Sequence, residues 1–226
     1  APTLRFCGLL RGELPHSSAS FFELANFVPW DIEEYHPREH IALPGWTRRP
    51  ILFFGRMDKL KDPAALLDAF RVLESRRKGE FMLLLCGPRS IEVDIDSEIA
   101  KRDLCDAAVV LPPIPFDAVS SLLEAVRRAG GLFVSPSRSE SFGLSAAEAI
   151  SALLSPVLSD IDAHLDLVEG AADLFTFPLG DVGALAIRLE SLFDIRLGLE
   201  DVLCDLRNNF SARRFVRDWE NLLNEV

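Results

Sequence analysis

Short apolar runs alternate with amphipathic stretches along the chain from residue 51 onward. The apolar runs are three to six residues long and end at Gly, Pro or polar residues, which is typical of buried strands. Each is followed by a stretch with helical periodicity, and this alternation is the pattern of a parallel sheet flanked by helices. The predicted strands are Ile51–Phe54, Phe81–Cys86, Ala107–Leu111, Leu132–Val134, Pro156–Ser159 and Leu174–Phe177. The sequence therefore predicts an α/β domain with a parallel sheet of about six strands.

The helix after the first strand has clear start and stop signals. Asp62 followed by Pro63 is a favoured pair for the N-cap and the first helical position, and Gly79 is a plausible end. The buried stripe of this helix is predicted at Leu66, Ala69, Phe70 and Leu73, which follow the i, i+3, i+4, i+7 spacing.

The two ends of the chain differ from this central region. Residues 1–50 are rich in Pro, His and aromatic residues without a clear period, and they are predicted to be a connecting or wrapping segment. Residues 51–210 form the predicted α/β domain. Residues 211–226 are predicted to be a terminal amphipathic helix, with Ser211 as its N-cap and an apolar stripe that includes Phe215 and Trp219.

Composition narrows the possible function classes. The 226 residues carry a formal net charge of −11, which disfavours nucleic-acid binding through a broad basic surface. The sequence shows neither a transmembrane segment nor a secretory signal, so the expected location is the cytoplasm. The four cysteines and four histidines lack metal-ligand spacing, so no metal site is predicted.

Two carboxylates eight positions apart follow the predicted strand Leu132–Val134. Glu140 lies on the turn after this strand, and Glu148 lies about two turns along a helix that opens at Phe142–Leu144. The first amides of such a helix have no intrahelical partner and form an anion site, whereas carboxylates accept hydrogen bonds from hydroxyl groups. A ligand with a charged middle and polyol ends, such as a nucleotide sugar, fits this combination. Paired glutamates near a helix start are also common as surface charge.

A basic loop follows the first strand. Arg56 and Lys61 are predicted at the carboxyl edge of the sheet, where open α/β folds bind ligands. Two cations there could bind a diphosphate and neutralise the charge that develops on a leaving group. A solvated basic turn is the alternative interpretation.

Together these motifs resemble the donor-binding half of the family four retaining glycosyltransferases, also described as glycosyl transferases group 1. The resemblance covers about residues 50–226, and its most specific part is the pair of glutamates around an internal Phe-Gly-Leu. The matching stretches are Gly55-Arg56, Lys61-Asp62-Pro63, Cys86-Gly87-Pro88, Pro136 to Leu144, Glu148-Ala149 and Pro156-Val157. The family folds as two Rossmann-like domains in the GT-B arrangement, so a single Rossmann-like domain is implied here.

The resemblance also implies roles for individual residues. Arg56 and Lys61 would bind the donor diphosphate, and Glu140 would hydrogen-bond the transferred sugar. The segment Ser141, Phe142, Gly143 and Leu144 would hold the distal phosphate through its amides, and Glu148 would bind the ribose hydroxyls. Gly55 belongs to the same donor site, and the base would lie near Gly87 and Pro113. The implied reaction retains the anomeric configuration and needs neither a metal nor a cofactor.

The chain departs from the family pattern in three respects. Ser155 stands where the family usually has Gly, and the loop at Gly87-Pro88-Arg89 contains fewer glycines than usual. The third departure is that the chain resembles only the C-terminal half of the family's proteins, although Asn26 to Pro37 looks like the family's inter-domain linker. The acceptor, whether a glycan, a lipid or a small molecule, would then be bound by an N-terminal domain or a partner chain. A peripheral location of the protein at the inner membrane face stays open.

Three functional hypotheses follow. The first is the nucleotide-sugar-binding part of a retaining glycosyltransferase. The second is a catalytically inactive nucleotide-sugar-binding or scaffold module that lacks the acceptor domain. The third is another α/β nucleotide or phosphate binder that shares only the sheet and the anion site at the helix start.

Overall fold

A computed structural model describes residues 4–24, 26–28, 47–195 and 199–225. Most of the linker-like run Asn26 to Pro37 lies outside the described residues. Within the described ranges, no helix is long and apolar enough to cross a membrane.

The elements alternate along the chain as the sequence predicts. The strands are β1 (Arg49–Phe54), β2 (Phe81–Cys86), β3 (Ala108–Leu111), β4 (Leu132–Ser135), β5 (Pro156–Ser159) and β6 (Thr176–Phe177). The helices are α1 (Leu4–Glu13), α2 (Pro63–Arg76), α3 (Ile95–Lys101), α4 (Val119–Arg128), α5 (Leu144–Ser151), α6 (Asp162–Leu167), α7 (Ala172–Phe175), α8 (Val182–Asp194), α9 (Leu199–Arg207) and α10 (Ala212–Glu225). Short 3₁₀ turns precede α4 and α10.

All six strands form one parallel sheet in the order β3-β2-β1-β4-β5-β6. This confirms the predicted fold class. Strand order reverses between β1 and β4, so the loops after these two strands diverge at the carboxyl edge of the sheet. In open α/β folds such a switch point leaves a crevice in which ligands bind.

The core lies on both faces of this sheet. Consecutive residues of β1, β2, β4 and β5 are buried, as expected for strands that have helices on both sides. Helix α2 packs against α8, and α5 packs against α9. The predicted stripe of α2 is buried, and the Asp62 side chain accepts a hydrogen bond from the Ala65 amide at 3.2 Å, which confirms the predicted N-cap.

Two local features differ from the sequence expectations. The first two residues of the predicted strand Leu174–Phe177 belong instead to the helix Ala172–Phe175, and only Thr176–Phe177 pairs with β5. The Thr176 hydroxyl donates to the Ala172 carbonyl at 2.9 Å, which closes this short helix. A helix also covers Leu4–Glu13, within the segment that showed no clear period. Its Gly8 and Gly12 lower the helix propensity and obscure the pattern.

The segment before the domain contacts the C-terminal elements. The Val28 amide donates to the Phe210 carbonyl at 2.9 Å, and Val28 is fully buried. The rings of Phe27 and Phe215 lie 4.7 Å apart. Residues 26–28 are therefore anchored beside α10, whose first turn is capped by the Ser211 hydroxyl.

Candidate functional site

An open cleft of about 620 Å³ lies at the switch point of the sheet. Its lining comes from the loops after β1, β3 and β4, from the start of α5 and from the segment before β1. The lining residues are Asn26, Phe54, Gly55, Arg56, Lys61, Ile114, Phe116, Val119, Glu140, Ser141, Phe142, Gly143, Leu144, Ser145 and Glu148. The structure thus brings together nine of the eleven predicted site residues, from segments about 80 positions apart in the sequence.

The loop between β1 and α2 is held by the buried carboxylate of Asp58. This carboxylate accepts hydrogen bonds from the amides of Leu60 at 3.1 Å and Lys61 at 2.9 Å. Asp58 also pairs with Arg56 at 3.0 Å, although the Arg56 side chain remains 64% exposed. One acidic side chain therefore fixes the turn and keeps Arg56 and Lys61 at the cleft.

Lys61 forms an ion pair with Glu140 across the cleft. Both side chains are largely buried, and the pair joins the loop after β1 to the loop after β4. Two further contacts join the same loops. Arg138 pairs with Asp62 at 2.7 Å, and its amide donates to the Leu60 carbonyl at 2.8 Å.

Helix α5 begins at the cleft floor from a glycine in the left-handed conformation. Gly143 has φ +87°, and its carbonyl accepts from the amides of Ala146 and Ala147, both at 3.0 Å. The amides of Leu144 and Ser145 in the first turn have no intrahelical partner, and both residues line the cleft. The helix start can therefore bind an anion at this position.

Glu148 lies one turn further along α5 and is only 4% exposed. Burial raises the pKa of this carboxyl from 4.5 to about 7, because the charged form loses its hydration. Such a carboxylate gains free energy when hydroxyl groups donate to it, since each donor replaces lost water. Glu148 thus suits a ligand that has neighbouring hydroxyl groups.

A buried polar cluster lies beneath the helix start, and sequence reasoning missed it. His164 is fully buried, with Nδ1 3.0 Å from the Ser159 carbonyl oxygen and Nε2 3.4 Å from Ser135 Oγ. The cluster extends from Ser135 Oγ to Ser137 Oγ at 3.0 Å, and Ser159 Oγ donates to the Ser137 carbonyl at 2.6 Å. Burial lowers the pKa of His164 to about 4, so its ring is neutral at neutral pH.

Two of the predicted site residues do not line the cleft. Gly87 is buried where β1 and β2 end, and a Cβ built there would lie 2.2 Å from the Gly55 carbonyl oxygen. The close approach of two backbones therefore requires glycine at this position. Pro113 is exposed, and its neighbour Ile114 lines the cleft instead. Contact of Gly87 or Pro113 with a base stays a prediction.

Six lining residues were absent from the sequence prediction, and two of them, Phe54 and Ser145, are direct neighbours of predicted site residues. Ile114, Phe116 and Val119 form an apolar wall just beyond the loop that was expected to hold the base. Asn26 reaches the cleft from the segment before β1, held there by the buried Val28. Among the residues that the structure describes, no group of three or more His, Cys, Asp or Glu side chains could hold a metal ion.

Comparison with protein families gives one match over most of the chain. Residues 43–213 match the family described as Glycosyl transferases group 1. The chain is 29% identical over 184 residues to a GDP-mannose:cellobiosyl-diphosphopolyprenol alpha-mannosyltransferase from Xanthomonas oryzae pv. oryzae, covering 74% of this chain and 44% of that protein. It is 35% identical over 130 residues to a D-inositol 3-phosphate glycosyltransferase from Pseudarthrobacter chlorophenolicus, covering 56% of this chain and 29% of that protein. The chain therefore spans less than half the length of these relatives.

Solved structures share the fold at low sequence identity. The pneumococcal O-GlcNAc transferase GtfA, in complex with UDP and GlcNAc, superposes with a TM-score of 0.77 at 14% identity, over 100% of this chain and 44% of that chain. The lipopolysaccharide outer core galactosyltransferase WaaB superposes with a TM-score of 0.74 at 14% identity, over 100% of this chain and 61% of that chain.

Proposed function

The chain belongs to the glycosyl transferases group 1 family, and we propose that it is the donor-binding part of a retaining, metal-independent glycosyltransferase. The observation that carries this proposal is the meeting of two cationic side chains, a helix start and two glutamates in one cleft at the switch point of the sheet. Each of these groups suits a different part of a nucleoside diphosphate sugar.

The diphosphate lies between the loop after β1 and the start of α5 in this proposal. Arg56 and Lys61 contact it from one side, and the amides of residues 142–144 bind the distal phosphate from the other. When the bond to the sugar breaks, negative charge grows on the departing nucleoside diphosphate. Two cations and a set of oriented amides stabilise that charge without a metal ion.

The two glutamates bind hydroxyl groups on either side of the diphosphate. Glu148 accepts from the two ribose hydroxyls, for which its buried carboxyl must be ionised. Glu140 accepts from the transferred sugar. Glu140 is paired with Lys61, so a diphosphate that attracts Lys61 leaves Glu140 available for the sugar. Retention of the anomeric configuration rests on family membership.

The names of the relatives are consistent with a nucleoside diphosphate donor. The mannosyltransferase relative is named for GDP-mannose, and GtfA was solved with UDP. The apolar wall of Ile114, Phe116 and Val119 is placed to contact the base. The acceptor site lies on an N-terminal domain or a partner chain, because this chain spans less than half the length of the relatives.

Sugar dependence tests the proposal. Calorimetric titration should show that wild type binds a nucleoside diphosphate sugar more tightly than the nucleoside diphosphate alone. Glu140→Gln should lose most of this difference while it retains the affinity for the diphosphate. Glu220→Gln, at an exposed position of α10 that does not line the cleft, is the matched control. If the sugar adds no affinity, or if Glu140→Gln retains the difference, the assignment of Glu140 is wrong.

A further inference from the structure

The buried cluster around His164 contacts both the loop that carries Glu140 and the residue from which α5 begins. We propose that His164 is a positioning residue for the distal phosphate of the donor, acting through Ser135 and Gly143. This inference rests on the proposed function, because it assigns a role within the same diphosphate site.

The hydrogen bonds determine the state of the His164 ring. The Ser159 carbonyl can only accept, so the Nδ1 that lies 3.0 Å from it carries the proton. In the neutral ring Nε2 is then an acceptor, and the Ser135 hydroxyl donates to it at 3.4 Å. The lowered pKa of His164 keeps this arrangement at neutral pH. One imidazole therefore links the carboxyl ends of β4 and β5.

The same ring also supports the start of α5. A Cβ built on Gly143 would lie 3.2 Å from His164 Cδ2 and 3.1 Å from Leu167 Cδ1, so the Gly143 backbone rests directly on these two side chains. Gly143 holds the left-handed conformation that aims the following amides at the cleft. Movement of the ring would leave a gap under this residue and release the orientation of the amides.

The chemistry of the cluster fits a positioning role better than a binding role. His164, Ser137 and Ser159 are fully buried and Ser135 is 5% exposed, and none of the four lines the cleft. Their polar atoms partner one another or nearby backbone. A neutral ring also avoids placing a buried charge beside the Lys61–Glu140 pair. The cluster therefore serves the phosphate site through geometry.

A selective loss of affinity for the distal phosphate tests this role. Wild type, His164→Leu and the control Leu189→Ala would be titrated with UDP and UMP, GDP and GMP, and ADP and AMP. Leu189 is a fully buried residue of α8, which packs against α2, and it does not line the cleft. Its replacement loosens the core without touching the proposed site.

His164→Leu should weaken binding of the diphosphate by about tenfold, because the loss of one charge-assisted hydrogen bond lowers affinity by about that factor. Binding of the monophosphate, which lacks the distal phosphate, should stay within about twofold of wild type. Leu189→Ala should change neither. Ser135→Ala removes the donor to Nε2 and the contact with the Ser137 hydroxyl but leaves the ring in place. It should therefore cause a smaller loss in the same direction, and it covers the case in which His164→Leu does not fold.

The outcomes separate the inference from the proposed function. If wild type binds the diphosphate and the monophosphate equally, both are overturned. If wild type prefers the diphosphate and both variants keep that preference, the inference alone is wrong. An equal loss for both ligands, shared with Leu189→Ala, would reduce His164 to a general packing residue and also contradict the inference.

Discussion

Replacement of Glu148 by glutamine should stabilise the fold at neutral pH while it weakens the proposed ribose contact. Burial raises the pKa of this carboxyl from 4.5 to about 7. A group whose pKa is higher in the folded state stabilises the fold at low pH. For Glu148 that stabilisation is fully present below pH 4.5 and is lost as the pH rises to about 7. Glutamine has nearly the same shape and no charge at any pH.

The magnitude follows from the two pKa values. Each pH unit between them corresponds to about 1.4 kcal/mol of unfolding free energy, which gives about 3 kcal/mol in total. Below pH 4.5 the neutral acid and the amide should give similar stabilities. The advantage of Glu148→Gln should then grow up to about pH 7 and stay constant above it. Above pH 7, wild type is therefore less stable than the variant because it holds a buried, charged carboxylate without hydroxyl donors.

Urea unfolding followed by circular dichroism, between pH 4.5 and 8.5, measures this advantage. Glu220→Gln, at an exposed position of α10, controls for the removal of one negative charge from a chain of net charge −11. An advantage that does not change with pH, or a variant less stable than wild type at pH 8, would refute the reasoning that burial dominates at Glu148.

The comparison must be made between wild type and variant, because His164 titrates in the opposite sense over the same range. Its pKa is lowered from 6.5 to about 4, so its contribution to stability is present above pH 6.5 and is lost as the pH falls toward 4. In wild type the two effects nearly cancel between pH 4.5 and 6.5. The difference between wild type and Glu148→Gln retains only the effect of Glu148, since both proteins contain His164.

Three further predictions use the same unfolding series. His164→Asn should lower the free energy of unfolding most at neutral pH, and this loss should shrink by up to about 3 kcal/mol as the pH falls toward 4. The groups that face the ring are Glu140, Lys61 and the Ser159 carbonyl. A loss that does not depend on pH would contradict this prediction. Gly143→Ala should cost at least about 1–2 kcal/mol, because alanine is strained at φ +87°. Gly87→Ala should lower the free energy of unfolding more than Gly143→Ala does, because its Cβ would lie 2.2 Å from a backbone oxygen rather than near side chains that can shift. The reverse order would show that the two strand ends can separate.

The sequence was sufficient for the fold class and for most of the cleft. Strand boundaries follow from apolar runs that end at polar or breaking residues, and β2 and β5 match the prediction at both ends. Arg56 and Lys61 lie in the loop after β1, Glu140 lies in the loop after β4, and Glu148 lies in α5. The carboxyl ends of parallel strands face one edge of the sheet, so the sequence could predict that these residues meet.

The remaining parts of the site depend on contacts between distant segments. His164 lies five residues after β5 with no partner nearby in sequence except Ser159, and its link to Ser135 crosses 29 positions. Asn26 reaches the cleft from a segment that is held by the backbone hydrogen bond from Val28 to Phe210 and by the contact of Phe27 with Phe215. Gly87 resembled a ligand-binding glycine, whereas its position is explained by the Gly55 backbone. Patterns along the chain carry little information about such contacts.

The central claim is a diphosphate site formed by the loop after β1 and the start of α5. Calorimetric titration with UDP, GDP and ADP, repeated with the Arg56→Ala, Lys61→Ala double variant, tests it most directly. Arg71→Ala combined with Lys78→Ala, two basic residues that do not line the cleft, controls for the loss of positive charge. Selective binding of one nucleotide that the double variant loses and the control retains is the predicted result. Equal affinity in wild type and the double variant, or no binding of any nucleotide to wild type, would contradict the claim.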